Sequence, residues 1–325
     1  MTYIGIDISK DSFVAAFPRE NAKSFTCNTF VYKNSPTGIR TFIQRLSADQ
    51  HHCVMEATGN YSFLLLYLLD KAGIPASLIN PKQIKSHART VLSTVKSDPK
   101  DAEIIAHYGY TWQPAVYKMP SETILLLKQK RAILRQLKKQ LLANENLQES
   151  LKVLPFNDPT AMKALKNTIA FLSRQIRHIE EEMVTLTAKE YKHQLNLLTS
   201  IKGIGLTVAT ALIIGTGGFQ HFDNAKQISK YIGLSPTYQQ SGTSVNIRGS
   251  INRNGDAYLR GQLYTATWSA IKHNTACKEL YLRLKANGKP GKVALVAVAN
   301  KLIRQAWAVI QHDTPYIDGF ISTKP

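Results

Sequence analysis

The 325-residue chain has only three cysteines, Cys27, Cys53 and Cys277, far apart and in no CxxC or Cys/His zinc spacing. That excludes a disulfide scaffold and a zinc finger; the three read as reduced structural thiols. Acidic residues are also scarce, with 22 Asp+Glu against 41 Lys+Arg, a formal net charge of +19 and a pI of about 9.8. Such a balance points to a polyanionic partner. Long apolar runs are missing: "FLLLYLL" is too short to span a bilayer, and "MTYIGIDISK" opens without the charged and apolar regions of a signal peptide. A cytoplasmic protein without a membrane partner is expected. The positive charge is spread through the chain and not gathered in one tail or amphipathic segment, which favours nucleic acid over anionic lipid. No solenoid repeat is present, and the length accommodates two or three domains.

Residues 1–115 alternate strand and helix patterns. "YIGIDIS" and "DSFVAAF" form a hairpin, "FTCNTFVY" a third strand, and "SPTGIRTFIQRL" a helix. The strand "HCVMEA", the helix "NYSFLLLYLLDKAG" and the strand "IPASLINP" come next. The pattern is an α/β layer fold. Residues 116–198 change to long helices, with Ile169, Leu172, Ile176, Ile179, Met183 and Leu186 at coiled-coil spacing and a break at "LPFNDPT". Two arms of about 30 residues, each on the order of 45 Å, predict an antiparallel hairpin that acts as a spacer or dimerisation device.

Residues 199–325 read as a mostly helical domain. In "LLTSIKGIGLTVATALIIGTGGF", Gly203 and Gly205 form a turn between helices, with Lys202 beside it, a helix-hairpin-helix pattern whose turn amides suit a backbone phosphate. A tight corner packed through small residues accounts for the same spacing. "NGKPGK" further on reads as a solvated basic turn or a phosphate contact.

Four carboxylates stand out. Asp7 interrupts an apolar strand beside Gly5, and Glu56 ends the strand "HCVMEA". Carboxylates are rarely buried without a partner, and in open α/β sheets sites gather at strand ends. In "VKSDPKDAEIIAHYG", Asp98 as N-cap, Pro99 as first helical residue and Asp101 at the third position satisfy a capped helix start. The same spacing turns both carboxylates to one side of the helix, so capping and metal binding are compatible. Gathered together, the four would repel one another unless cations neutralise them, and oxygen-only ligands select Mg²⁺, with Mn²⁺ also suited. Two such ions about 4 Å apart suit in-line phosphodiester chemistry.

The motifs "GIDISK", "MEATG" and "KSDPKDAEIIA" resemble the ribonuclease H-like (RuvC-like) domain of DEDD transposases from bacterial insertion sequences, a group with Piv-type invertases and bridge-RNA-guided recombinases. "IKGIGLTVATALI", "YIGLSPTYQQSG" and "INRNGDAYLRGQL" resemble its C-terminal transposase domain, so the likeness covers nearly the whole chain. The resemblance implies an acidic tetrad at Asp7, Glu56, Asp98 and Asp101 and a nucleophilic serine at Ser241 of "YQQSGTS", which composition alone would read as a turn residue. It also implies a covalent phosphoserine intermediate, donor and target DNA, a noncoding guide RNA, and a tetramer with composite sites. Arg248, Arg253 and Arg260 are candidates for charge stabilisation or backbone anchoring. Two other activities remain: a metal-dependent nuclease or junction resolvase using water, and an actin-like sugar kinase with "GTGG" (215–218) as its phosphate loop. A binding protein without catalysis would leave the carboxylates without a purpose.

Overall fold

The alternation of "TYIGIDI" builds a central strand whose even residues, Ile4, Ile6 and Ile8, are buried on one face. In the computed structural model this strand, β1 (Thr2–Ile8), is followed by β2 (Ser12–Pro18), β3 (Cys27–Lys33), α1 (Pro36–Ile43), β4 (His51–Glu56), a 3₁₀ turn (Gly59–Ser62), α2 (Phe63–Lys71), β5 (Ala76–Ile79), α3 (Pro81–Thr90) and α4 (Asp98–Trp112). The structure describes residues 1–19, 25–57, 59–92, 97–220, 222–241, 245–251 and 255–319, with backbone only at 237–241 and 245–250. Strand order is β3-β2-β1-β4-β5, with β1–β2 and β2–β3 antiparallel and β1–β4 and β4–β5 parallel. Helices α1 and α2 cover the Ile4/Ile6 face, burying Ile39, Phe42, Leu65 and Leu69. The other face receives α3 and α4.

Helix α3 was not foreseen: the "INPKQIKSHART" stretch is polar and buries only Ile84 and His87, too little for a visible periodicity. The start of α4 also differs. Ser97, not Asp98, is the N-cap, and it makes no side-chain capping bond; Asp98 is already helical, with Pro99 second. Capping therefore does not explain Asp98.

The chain divides into two compact units, residues 1–119 and 120–325. The second contains α5 (Glu122–Lys152) and α6 (Pro159–Thr199), joined at residues 153–158. Ser121 and Asp158 cap them, each accepting from a backbone amide of the first turn. Leu134, Leu172, Ile176 and Met183 form the buried seam, and Lys130–Glu182 and Lys138–Glu180 pair along its edge. This hairpin shares one hydrophobic core with the helices C-terminal to it. Helix α6 is kinked at Tyr191, so the short helix expected before the glycine turn is its last segment.

Next come α7 (Leu206–Thr216), α8 (Ala225–Ile232), β6 (Pro236–Ser241), β7 (Val245–Ile251), α9 (Ala257–His273), α10 (Thr275–Ala286) and α11 (Gly291–His312). The "GTGG" segment closes α7, with Gly217 left-handed at its C-terminus (φ 62°). It opens no helix, which removes the basis for a kinase phosphate loop. Helix α11 is long and apolar enough to cross a membrane. It buries Leu295, Val298, Leu302 and Ile303 in the core, as the central helix of a folded unit does. The three cysteines are free and buried, and burial pushes Cys27 and Cys277 up to about 12.

Candidate active site

The tetrad is assembled by β1, β4 and α4. The β1–β4 register pairs Ile6 with Met55, so Asp7 and Glu56 are the next neighbours at the carboxyl ends of adjacent parallel strands, about 4.8 Å apart. Both share the face that receives α4: Gly5, two residues before Asp7, lies under that helix, and Val54, two before Glu56, meets it at Gly109. A Cβ on Gly5 would stand 2.1 Å from the Ala102 carbonyl oxygen and 2.2 Å from the Ala106 nitrogen; one on Gly109 would stand 2.9 Å from Tyr3 and Val54. Helix and strand therefore meet without an intervening side chain. Ala102, Ala106 and Gly109 form the contact stripe of α4, and the helical repeat carries it toward the N-terminus onto Asp98 and Asp101.

Electrostatics agree with the convergence. Burial, then the charges of Asp101, Asp98 and Glu56, raise Asp7 from 3.8 to about 6. Burial, then Asp101, also raises Glu56. Among the described residues none of Asp7, Glu56 and Asp98 makes an ion pair. The four sequence-predicted carboxylates are thus brought together, and no lysine or arginine among the described residues pairs with those three.

This donor set fits a hard divalent cation, since every donor is oxygen and such an ion would offset both the burial of the Asp7 charge and its repulsion by the other carboxylates. The donors are gathered but not closed: among the described residues no three of His, Cys, Asp and Glu stand close enough to hold an ion.

One residue with a role here escaped the sequence reading. Asn34 donates from Nδ2 to the carbonyls of Ser9 (3.0 Å) and Tyr61 (3.1 Å), which follow β1 and β4. It ties together the two loops that flank Asp7 and Glu56. Its Oδ1 is buried with no partner among the described residues. Nothing in "KNSPTG" announces this, because the contact spans 25 and 27 positions.

In the second unit, Ser241 ends β6 opposite Val245, in a strand where a polar loop was expected. The polar Gly/Ser/Asn-rich sequence hid the strand pair because neither strand is apolar. Gly242 and Arg253 lie outside the described residues. Arg248 is paired with Tyr238 across the hairpin. Arg260 has a structural bond, its guanidinium donating to the Ile232 carbonyl at the end of α8 (2.9 Å), with its other donors left over. That carbonyl occupies one of the donors assigned to a phosphate. Gly203 (φ 106°) lies against Ala270 of α9, where a Cβ would come within 2.7 Å, so close packing is one reason for this glycine. Gly205 opens α7 with no neighbour within 4 Å of a Cβ, and Lys202 is exposed. Within the turn the Ile204 amide donates to the Ile201 carbonyl (2.9 Å), so it is already satisfied inside the protein.

Known sequences share both halves. Residues 4–154 match a family of DEDD IS110 type described as transposase, and residues 195–282 match the transposase IS116/IS110/IS902 family. The chain belongs to the IS110 family of transposases. It is a DNA recombination enzyme. Its relatives include the pilin gene-inverting proteins of Moraxella bovis and Moraxella lacunata, each 29% identical over 97% of both chains. The transposase for insertion sequence element IS1111A of Coxiella burnetii is 23% identical over 97% of this chain and 91% of its own. Asp7, Glu56, Asp98 and Asp101 fall inside the first matched region, with Ser241 inside the second.

Proposed function

We propose that this transposase cuts and rejoins DNA through a phosphoserine at Ser241, with Mg²⁺ held by Asp7, Glu56, Asp98 and Asp101. The carrying observation is the placement of Asp7 and Glu56 at the ends of adjacent parallel strands on the face that receives α4, where burial, and after it the charges of Asp101, Asp98 and Glu56, lifts Asp7 to about 6. The sheet order with a leading antiparallel pair and parallel β1–β4–β5 supports a RuvC-like domain in the first unit. In the three-part organisation 1–115, 116–198 and 199–325, the α5–α6 hairpin then acts as a dimerisation device whose base shares a core with the serine-bearing helices.

A bound divalent ion supplies charge neutralisation at the phosphate and lowers the pKa of a coordinated oxygen. The chain's residues do the rest. Asp7 and Glu56, fixed by adjacent strands, and Asp98 and Asp101, fixed by α4, orient the phosphodiester. The Ser241 hydroxyl oxygen forms a bond to phosphorus, the bond to a deoxyribose oxygen breaks, and the hydroxyl proton ends on that released oxygen. One phosphodiester replaces another, so the bond is conserved for rejoining when a hydroxyl of the partner strand attacks the phosphoserine and frees Ser241. Water as nucleophile would discard it.

The +19 charge supports binding of donor and target DNA together with a structured noncoding RNA that pairs with both, so that base pairing selects sequence while the protein reads backbone and shape. Composite sites in a tetramer bring Ser241 of one copy to the tetrad of another, in a cytoplasmic complex. The test incubates full-length protein with Mg²⁺, co-purified RNA and element-end DNA, then denatures in detergent. A protein–DNA adduct that is lost in Ser241→Ala and in Asp7→Asn supports the proposal. Free cut ends without adduct, or cleavage that persists in Ser241→Ala, would turn the reading to a water-using nuclease. An unchanged reaction after removal of RNA would remove the guide.

A further inference from the structure

Helices α10 and α11 leave between them a groove of about 790 Å³. Its rim carries Arg283, Lys301 and Arg304 against a single carboxylate, Glu279. From Thr275 to His312 the chain has seven Lys or Arg and one acidic residue. Arg283 and Arg304 are exposed and Lys301 half-buried, and among the described residues none of the three makes an ion pair. On α11, Ala297, Lys301 and Arg304 fall at helical spacing on one face, away from the buried Val298, Leu302 and Ile303. Ala276 and Ala297 leave the floor shallow. Leu280 and Leu282 complete the lining, and three cations without an ion pair around one groove match a row of phosphates.

The groove is also tied to the serine hairpin. Asn300, in its lining, donates from Nδ2 to the Leu234 carbonyl at 3.1 Å, two residues before β6, the strand that ends in Ser241. None of the lining side chains is aromatic, so an unpaired base has nothing to stack on. Backbone contact to a duplex needs no such platform.

The geometry points to a phosphate track: Arg283, Lys301 and Arg304 grip the sugar-phosphate backbone of duplex DNA in the α10–α11 groove and hold it beside the root of the Ser241 hairpin. The grip is read from charge and shape; its purpose, to steer the strand toward Ser241, rests on the serine reading above.

The experiment measures affinity of the full-length protein for a short labelled DNA duplex across a salt series. The combined variant Arg283→Gln, Lys301→Gln, Arg304→Gln should flatten the plot of log affinity against log salt by about 2–3, at roughly 0.9 per phosphate contact. Glu279→Gln should tighten binding severalfold, a change of opposite sign that unfolding cannot produce. Lys163→Gln, Lys166→Gln, Arg174→Gln on α6 serves as an equal-charge comparison. An unchanged slope, a loss no larger than in the α6 variant, or no tightening in Glu279→Gln would overturn the track. So would weakened binding of a structured RNA with duplex affinity intact. Binding without cleavage reads the groove alone, so a failure of the serine as nucleophile would leave this result standing.

Discussion

The two units treat charge in opposite ways. Residues 1–119 hold 13 Lys+Arg against 9 Asp+Glu, and residues 120–325 hold 28 against 13. In the first unit the important charges are negative and set against one another, with Asp7, Glu56 and Asp101 half-buried and Asp98 exposed. In the second, the half-buried charge at Asp256 is satisfied: Arg131 donates to its Oδ2 at 2.7 Å while its Oδ1 accepts from the Leu259 amide, capping α9. The surplus positive charge is left on surfaces. The contrast separates a place that must wait for cations from places that wait for anions.

Five substitutions, in four tests, probe that contrast. The largest effect is expected for Ser241→Ala and for Asp7→Asn on adduct formation, a fall of about a thousandfold or more in single-turnover assays. Activity retained in Asp7→Asn would separate the crowded carboxylates from the chemistry. Next is Gly5→Val, whose side chain meets α4 backbone where 2.1 Å is left. It should destabilise the first unit by about 3 kcal/mol or more in denaturant unfolding, with the tetrad lost in parallel. Wild-type stability would mean that α4 does not dock as described.

The third test sets a removed charge in one unit against a removed charge in the other. Arg131→Ala leaves Asp256 without its partner and should cost the second unit about 2–3 kcal/mol. Asp7→Asn should instead stabilise the metal-free protein near pH 7, by about 1–2 kcal/mol once solvent screening of the half-buried group is discounted. The sign comes from linkage. The folded pKa of Asp7, about 6, lies above the ordinary 3.8, so its favourable contribution is complete below pH 3.8 and is lost as pH rises through 6. Thermal melts between pH 4 and 7 without metal should show that decline in wild type, and a flatter profile in Asp7→Asn. Added Mg²⁺ should restore wild-type stability at pH 7 and do little for the variant. The smallest effect belongs to Asn34→Ala, which unties the loops after β1 and β4; about tenfold slower adduct formation is expected, with unfolding shifted by about 1 kcal/mol.

Much of the first unit was legible because its strands alternate and its acidic residues interrupt apolar runs. Asp7 was visible as an anomaly, and Gly5 as a place of close approach. What stayed hidden has physical causes. Helix α3 exposes almost all its residues, so no stripe marks it. The β6–β7 hairpin is mixed, with Val245, Ile247 and Ile251 set among polar residues, so no continuous apolar pattern marks it. The helix start was misplaced by one residue because Ser97 and Asp98 are both cap-forming types, and only backbone geometry separates them. The bond from the Arg260 guanidinium to the Ile232 carbonyl was likewise invisible, because it joins positions 28 apart.

The seam between β1 and α4 has one more consequence. Since not even a methyl group fits between residue 5 and the helix, the spacing of two carboxylates from the other two is set by main chain against main chain. Such a site does not drift by small steps: a change that parts the strand from the helix shifts Asp98 and Asp101 together, and metal affinity should vanish abruptly as the gap widens.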